Sequence, residues 1–398
     1  MLRRRPGRHG VTLLAGGRVV AADGVLDRGW VSIADGRIEG VGTGTAGRAA
    51  VDVTDHWILP GFVDLHVHGG GGHSVLSGDP RGVAGTVEFH SAHGTTTTLV
   101  SLVTAPGDAL VAAAASIARF LADAPADTRA QVAGIHIEGP FLSAVRCGAH
   151  DPAHMTDPDP ALLRALIVAA KGWLRVMTLA PERSGAIEMV TQLVSSGIIA
   201  AIGHTDATAA QTSAAIAYGA RLATHLANGM RPFHHREPGP MGACLAHPDV
   251  VCELIADGHH LHPDVVRLAA AAKGLAGIAL ITDAIAAAGS GDGRYDLGAR
   301  EVEVSGGVAR LAGGGSLAGS TLTMDAAVRN AVSWGIPITT VSRAASLTPA
   351  RLLGLGDETG SIEPGRRADL VVLDESLQVV AVVARGRVVH GELGTGAS

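Results

Sequence analysis

Lysine is scarce in this 398-residue chain: only Lys171 and Lys273 occur, so nearly all of the 31 Lys+Arg residues are arginine. Set against 37 Asp+Glu they leave a formal charge of −6, which excludes a broadly basic surface and argues against a nucleic-acid partner. Cysteine is nearly as scarce. Cys147, Cys244 and Cys252 are odd in number and form no C-x-x-C pair, so a disulfide framework is not expected and a reducing, cytoplasmic setting is. Long apolar runs are also missing. Stretches such as Leu110–Ala115 fall far short of the roughly 20 residues that span a bilayer, so no membrane segment is expected. The arginine-rich opening leads only to a short apolar run, Val11–Ala15, before Gly16. That is too short for a signal-peptide core and reads as a frayed tail entering a strand.

What is present is a hydrophobic content of 47% with 17% charged residues, the balance of a soluble globular protein. The length suits one large domain and a smaller one. The most informative stretch is PGFVDLHVHGGGG, Pro60–Gly72. If Phe62–His68 is extended, Asp64, His66 and His68 share one face, and two imidazoles two residues apart can hold one ion. Alone, an H-x-H pair reads more readily as surface or core histidines than as ligands. Its meaning depends on what lies downstream.

Residues 60–355 alternate between apolar strand candidates and helical segments. The strands are expected at Phe62–His68, Thr95–Val103, Gln131–Glu138, Leu174–Ala180, Ile198–His204, Arg221–His225, Val250–Ala256 and Gly277–Asp283. Such a pattern predicts an α/β fold, a (β/α)₈ TIM-type barrel, with a doubly wound sheet as the alternative. Both ends of the chain are rich in short strands with glycine turns, and neither end alone supplies a stable sheet. We therefore expect a small flanking β-sandwich domain built from both termini, 1–58 plus 359–398, around a barrel domain at 59–358. A β-hairpin insertion near 294–311 follows the eighth strand.

A barrel places its active site at the C-terminal strand ends. Those ends read His66-Val67-His68, His136-Ile137-Glu138, Gly203-His204, Thr224-His225 and Thr282-Asp283. Histidine nitrogens and carboxylate oxygens are ligands for zinc, iron, manganese or cobalt. Taken singly, Glu138 could be an ion-pair partner, His204 and His225 core histidines, and Asp283 a helix cap. Those separate explanations do not predict polar residues at so many strand ends, whereas a metal-dependent hydrolase does. Some binuclear barrels bridge their metals with a modified lysine. Neither lysine here ends a strand, so a carboxylate such as Glu138 must serve. The loop Gly139–Asp157 carries Cys147, His150 and His154 and is long enough to be a lid. Gly313-Gly314-Gly315 lacks the Walker lysine, which argues against nucleotide binding.

PGFVDLHVHG, HIEGPF, GHTDAT, THLANGM, HHREPG, ADGHH, TDAI and LAGSTLTM occur in this order. Together they resemble the amidohydrolase superfamily, and within it the N-acetylglucosamine-6-phosphate deacetylases, over about residues 58–375. The resemblance implies hydrolytic deacetylation of a phosphosugar in amino-sugar catabolism and cell-wall recycling. It implies Glu138, His204 and His225 as ligands of a main divalent metal, and His66 and His68 as ligands of a second ion that some members have. It also implies Asp283 as catalytic acid/base and His150 as the contact to the substrate carbonyl. Ala149, Asn228, Gly229, Arg236, Asp257, His260, Leu317, Ala318 and Gly319 fall in its substrate-binding set, with Arg236 reaching the phosphate across the barrel mouth. A homodimer, with the phosphate end near the partner, is implied as well. Gly229 departs from the alanine common at its position. The competing expectations are another cyclic-amide hydrolase or deaminase of the superfamily, and a non-catalytic barrel.

Overall fold

The segment Thr95–Val103, TTTTLVSLV, is β-branched-rich and buried at every position, as an interior strand of a parallel sheet must be. In the computed structural model, which describes residues 13–44, 50–124 and 132–393, it is the second of eight parallel barrel strands. The others are Phe62–Asp64, Val132–Glu138, Leu174–Leu179, Ile199–Ile202, Leu222–Ala223, Val251–Ile255 and Ile278–Ile281, each paired to its sequence neighbour. First and last strands meet through a seam. Val67 bridges Ala284 in parallel, and the Asp283 N–H donates to the His66 carbonyl at 2.9 Å. Below it, the Thr282 hydroxyl donates to Asp64 Oδ2 at 2.6 Å, and burial pushes the Asp64 carboxyl up to about 7.

Helices cover the outside, and their starts follow capping chemistry. Asp79 and Asp159 accept from the second helical N–H of Pro80–Ala92 and Pro160–Ala170, each with proline at the first position. Thr208 and Gln211 form a capping box on Ala209–Ala217. Several helices escape the sequence pattern, among them Gly239–Ala246, whose glycine- and proline-containing start masks its period, and Met324–Ser333 after the eighth strand.

The two chain ends build one further eight-stranded sheet. Trp57–Pro60 runs parallel to Leu13–Ala21 and antiparallel to Leu370–Leu373, so it joins the N-terminal and C-terminal strands. Leu14, Val31, Ile58, Leu370 and Val383 pack into a core of this sheet's own. The arginine-rich opening and Gln131, expected at the start of the third barrel strand, lie outside the described residues. The insertion after the eighth strand is a three-stranded antiparallel sheet rather than a hairpin: Gly293–Leu297, Arg300–Ser305 and Val308–Leu311. Its two turns, at Gly298-Ala299 and Gly306-Gly307, divide the segment into three strands. The three cysteines are free, and burial pushes the Cys252 thiol up to about 12. No helix among the described residues is long and apolar enough to cross a membrane.

Candidate active site

The barrel ladders stop earlier than the apolar runs suggest. Regular pairing ends at Ile202, Ala223 and Ile281, and beyond these ends His204, His225 and Asp283 adopt φ values of +44°, +28° and +50°. Left-handed backbone at non-glycine residues costs about 1–3 kcal/mol each and persists only where surrounding contacts enforce it. The first strand likewise ends at Asp64, yet the inward alternation continues through the seam, so His66 and His68 both face the interior.

These residues gather around Glu138 at the end of the third strand. Its Oε1 lies 2.8 Å from His225 Nε2 and 3.1 Å from His204 Nε2. Its Oε2 lies 3.4 Å from Nε2 of both His66 and His68. Asp283 Oδ1 stands 3.2 Å from His68 Nε2 and 3.5 Å from His66 Nε2. Two ligand sets result, Glu138/His204/His225 and His66/His68/Asp283, each with donor atoms within 4.8 Å of one another. The Glu138 carboxylate faces both, Oε1 toward the first set and Oε2 toward the second.

The ring orientations test whether these sets suit a cation. His204 donates Nδ1–H to the Arg146 carbonyl at 2.8 Å, and His68 donates Nδ1–H to the Ser101 carbonyl at 2.9 Å. His66 places Nδ1 3.3 Å from Glu253. Each of these contacts leaves an Nε2 lone pair aimed at the centre. His66 and His68 Nε2 then stand 3.0 Å apart, and His204 and His225 Nε2 3.1 Å apart. Facing lone pairs repel unless a proton or cation lies between them, and neutral imidazoles with carboxylates are divalent-metal donors. The residues fit such an ion.

His150 is wired the other way. Its Nδ1 accepts from the Thr104 N–H at 3.3 Å, so its proton sits on Nε2, 3.3 Å from Glu138 Oε2. It is a donor aimed into the site rather than a ligand. Burial lowers its pKa further. For Glu138 and Asp283 burial opposes the charged form, but the positive charge of a proton held among the facing rings, His66 foremost, more than offsets it and holds both carboxyls below their usual range. His136, the other polar residue on the third strand, is bonded on both ring nitrogens, to Ser101 Oγ at 3.0 Å and Thr178 Oγ1 at 2.8 Å.

Above the clusters opens a cavity of about 420 Å³. Ala149, Asn228, Gly229, His260, Leu317 and Gly319 line it, as expected of a substrate-binding set. Three expected residues do not. Asp257 sits behind His260, accepting from its backbone N–H at 2.8 Å and lying 2.7 Å from its Nδ1. Ala318 is buried in the core of the inserted sheet. Arg236 is exposed, and its guanidinium donates to His235 at 2.8 Å instead of crossing the barrel mouth. The physical reason is Glu237, whose Oε1 accepts from the N–H of Ala209 at 2.8 Å and of Gly239 at 3.2 Å. Those bonds tie the loop to the neighbouring helix starts.

The Amidohydrolase family pattern matches residues 57–389. The chain belongs to the amidohydrolase family. It is a metal-dependent hydrolase, and its barrel and second sheet are those of solved relatives. It is 41% identical over 376 residues to the N-acetylgalactosamine-6-phosphate deacetylase of Escherichia coli O157:H7, covering 93% of this chain and 97% of that one. It is 36% identical over 384 residues to the N-acetylglucosamine-6-phosphate deacetylase of Bacillus subtilis (strain 168), covering 93% and 95%. An aspartate-to-alanine variant of the N-acetyl-D-glucosamine-6-phosphate deacetylase from Mycobacterium smegmatis, solved with N-acetyl-D-glucosamine-6-phosphate, superposes with a TM-score of 0.92. That pair is 42% identical, over 96% of this chain and 100% of the other.

The site of this amidohydrolase also includes residues the sequence pattern did not single out. Arg146 and Arg300 line the cavity. Arg146 is committed to Asp206 at 2.8 Å, while Arg300 stands at the tip of the first insert turn. Glu253 lies buried beneath His66. A lone acid inside the apolar strand VVCELIA was the one available signal for it, and nothing local marked Arg300.

Proposed function

We propose that this amidohydrolase converts N-acetyl-D-glucosamine 6-phosphate and water to D-glucosamine 6-phosphate and acetate, in the cytoplasm and as a homodimer. The observation that carries the reading is the convergence of an anionic Asp283, an Nε2–H donor on His150 and two ligand sets at the floor of one cavity. An unstrained amide resists water at neutral pH, so nucleophile and carbonyl both need activation. Glu138, His204 and His225 would hold a divalent ion, and His66 and His68 a second; such an ion would supply a more acidic water and Lewis-acid polarisation of the carbonyl. Asp283, ionised at neutral pH, takes the proton of the attacking water and passes it to the departing amine nitrogen. His150 donates Nε2–H to the carbonyl oxygen as negative charge builds there. Glu138 holds the two ligand sets in register through its two oxygens.

The sugar fills the cavity between Asn228, His260 and Leu317, with its phosphate at the rim. Arg300 of the same chain faces that rim, and the exposed Arg236 serves the neighbouring copy of the dimer. The relative at 41% identity is named for the galacto epimer, which favours N-acetylgalactosamine 6-phosphate as a second substrate. Amine release should be followed for both phosphosugars and for unphosphorylated N-acetylglucosamine. Preference for N-acetylglucosamine 6-phosphate supports the reading. Preference for the galacto sugar transfers it to the epimer, and indifference to the phosphate overturns it in favour of a broader amide hydrolase.

A further inference from the structure

Glu253 is a carboxylate 1% exposed in the middle of the apolar seventh strand, Val251–Ile255. A charge so placed is expensive unless it is hydrogen-bonded. Its bonds are specific. Oε2 lies 3.3 Å from His66 Nδ1 and accepts from the backbone N–H of His225 at 3.1 Å. Its own carbonyl accepts from the Leu226 N–H at 2.9 Å. One oxygen atom therefore ties together a histidine from each ligand set, just beyond the ends of the first and sixth strands.

The consequence for the two histidines differs. His225 is touched only through its backbone, and its ring faces Glu138 regardless. His66 is touched on its ring. With Nδ1–H donated to a carboxylate, the lone pair must sit on Nε2, 3.0 Å from His68 Nε2. His68 achieves the same tautomer with the neutral Ser101 carbonyl. A carboxylate acceptor is stronger than a carbonyl and makes the imidazole a better donor to an ion. We propose that Glu253 is the positioning residue that creates the second cation position, by fixing the tautomer and ring direction of His66. This rests on the metal-dependent reading of the site.

The test is to equilibrate the full-length protein with graded Zn²⁺ buffers and count bound ions per chain, for wild type, Glu253→Gln, His66→Asn and the double variant. Glutamine keeps the shape and a neutral acceptor but removes the charge. The second ion should bind roughly 10- to 100-fold more weakly in Glu253→Gln, with the first ion unaffected. In the His66→Asn background the Glu253→Gln change should do nothing further to metal content. Two ions held as tightly in Glu253→Gln as in wild type overturn the proposal, as does a single ion in wild type. So does an equal loss from Glu253→Gln with and without His66, which marks a purely structural role. A wild type that binds no ion defeats the metal reading itself. If Glu253→Gln does not fold, imidazole ¹⁵N spectra of the wild type decide, with His66 assigned by its loss in His66→Asn. An Nδ1–H tautomer supports the proposal, and an Nε2–H tautomer overturns it.

Discussion

Asp283 Oδ1 lies 3.2 Å from His68 Nε2, so the group assigned to proton transfer also borders the second cation position. Replacing Asp283 with Asn keeps size and packing but removes the proton acceptor. Turnover should fall by at least ~10²-fold. The ion set at Glu138, His204 and His225 should survive, while the set that includes Asp283 should loosen. Turnover and metal content measured on one preparation check both halves. Near-normal turnover would move the base elsewhere, and His150 would be the next candidate.

The second position can also be removed from the other side. His66 and His68 are both buried, with Nε2 atoms 3.0 Å apart. Changing both to Asn should lower bound metal by about one ion per chain and leave the circular dichroism spectrum unchanged. Unaltered metal content would make the H-V-H pair structural.

Phosphate recognition has two candidate cations, one lining the cavity and one exposed outside it. A hydrogen bond to a charged group is worth about 1.5–3 kcal/mol, so loss of a phosphate contact should cost roughly 10- to 150-fold in kcat/KM. Arg300→Ala should show this loss for phosphorylated substrate and not for N-acetylglucosamine. Because Arg236 lies outside its own cavity, any matching loss in Arg236→Ala should be relieved in mixed dimers that pair it with an Arg300→Ala chain. Equal losses on both substrates would remove the phosphate role from either residue.

The barrel exterior offers a pH test. Asp325, at the start of Met324–Ser333, lies 3.1 Å from His93 Nδ1 and accepts from Arg329 at 2.7 Å. Burial opposes its charge, but the bonds from His93, Thr323 and Arg329 prevail and hold its carboxyl below the ordinary value near 3.8. A depressed folded value means that the stabilisation is complete above the unfolded value and is lost as pH falls through the folded one. Asp325→Asn should therefore cost about 1.5–3 kcal/mol in urea unfolding at pH 7. The gap should narrow progressively below about pH 4. A gap independent of pH would detach the loss from ionisation.

Much of this arrangement was legible in the residues because strands and ligands announce themselves together. Apolar runs such as TTTTLVSLV mark buried parallel strands, and His or acid at the ends of several runs marks the mouth of a barrel. Other features were hidden for definite reasons. The left-handed turns at His204, His225 and Asp283 arise from the closed barrel, and no local propensity encodes them. Arg236 looked like a mouth residue because it follows His225 closely, but Glu237 fastens its loop to Ala209. Asp257 looked like a substrate contact, yet its carboxylate is consumed in holding His260. Arg300 comes from an inserted sheet far along the chain, and sequence distance carries no hint of its approach to the cavity.

A divalent ion at Glu138 should be what enables this chain to cut the acetamide of N-acetylglucosamine 6-phosphate. The most direct measurement follows acetate and glucosamine 6-phosphate together, using protein stripped of metal and then reloaded with zinc, iron, manganese or cobalt in turn. The two products should be equimolar, and turnover should be lost on stripping and restored by at least one of these ions in proportion to occupancy of the first site. Full turnover in verifiably metal-free protein, or no acetate from any loaded form, would contradict this role of the ion.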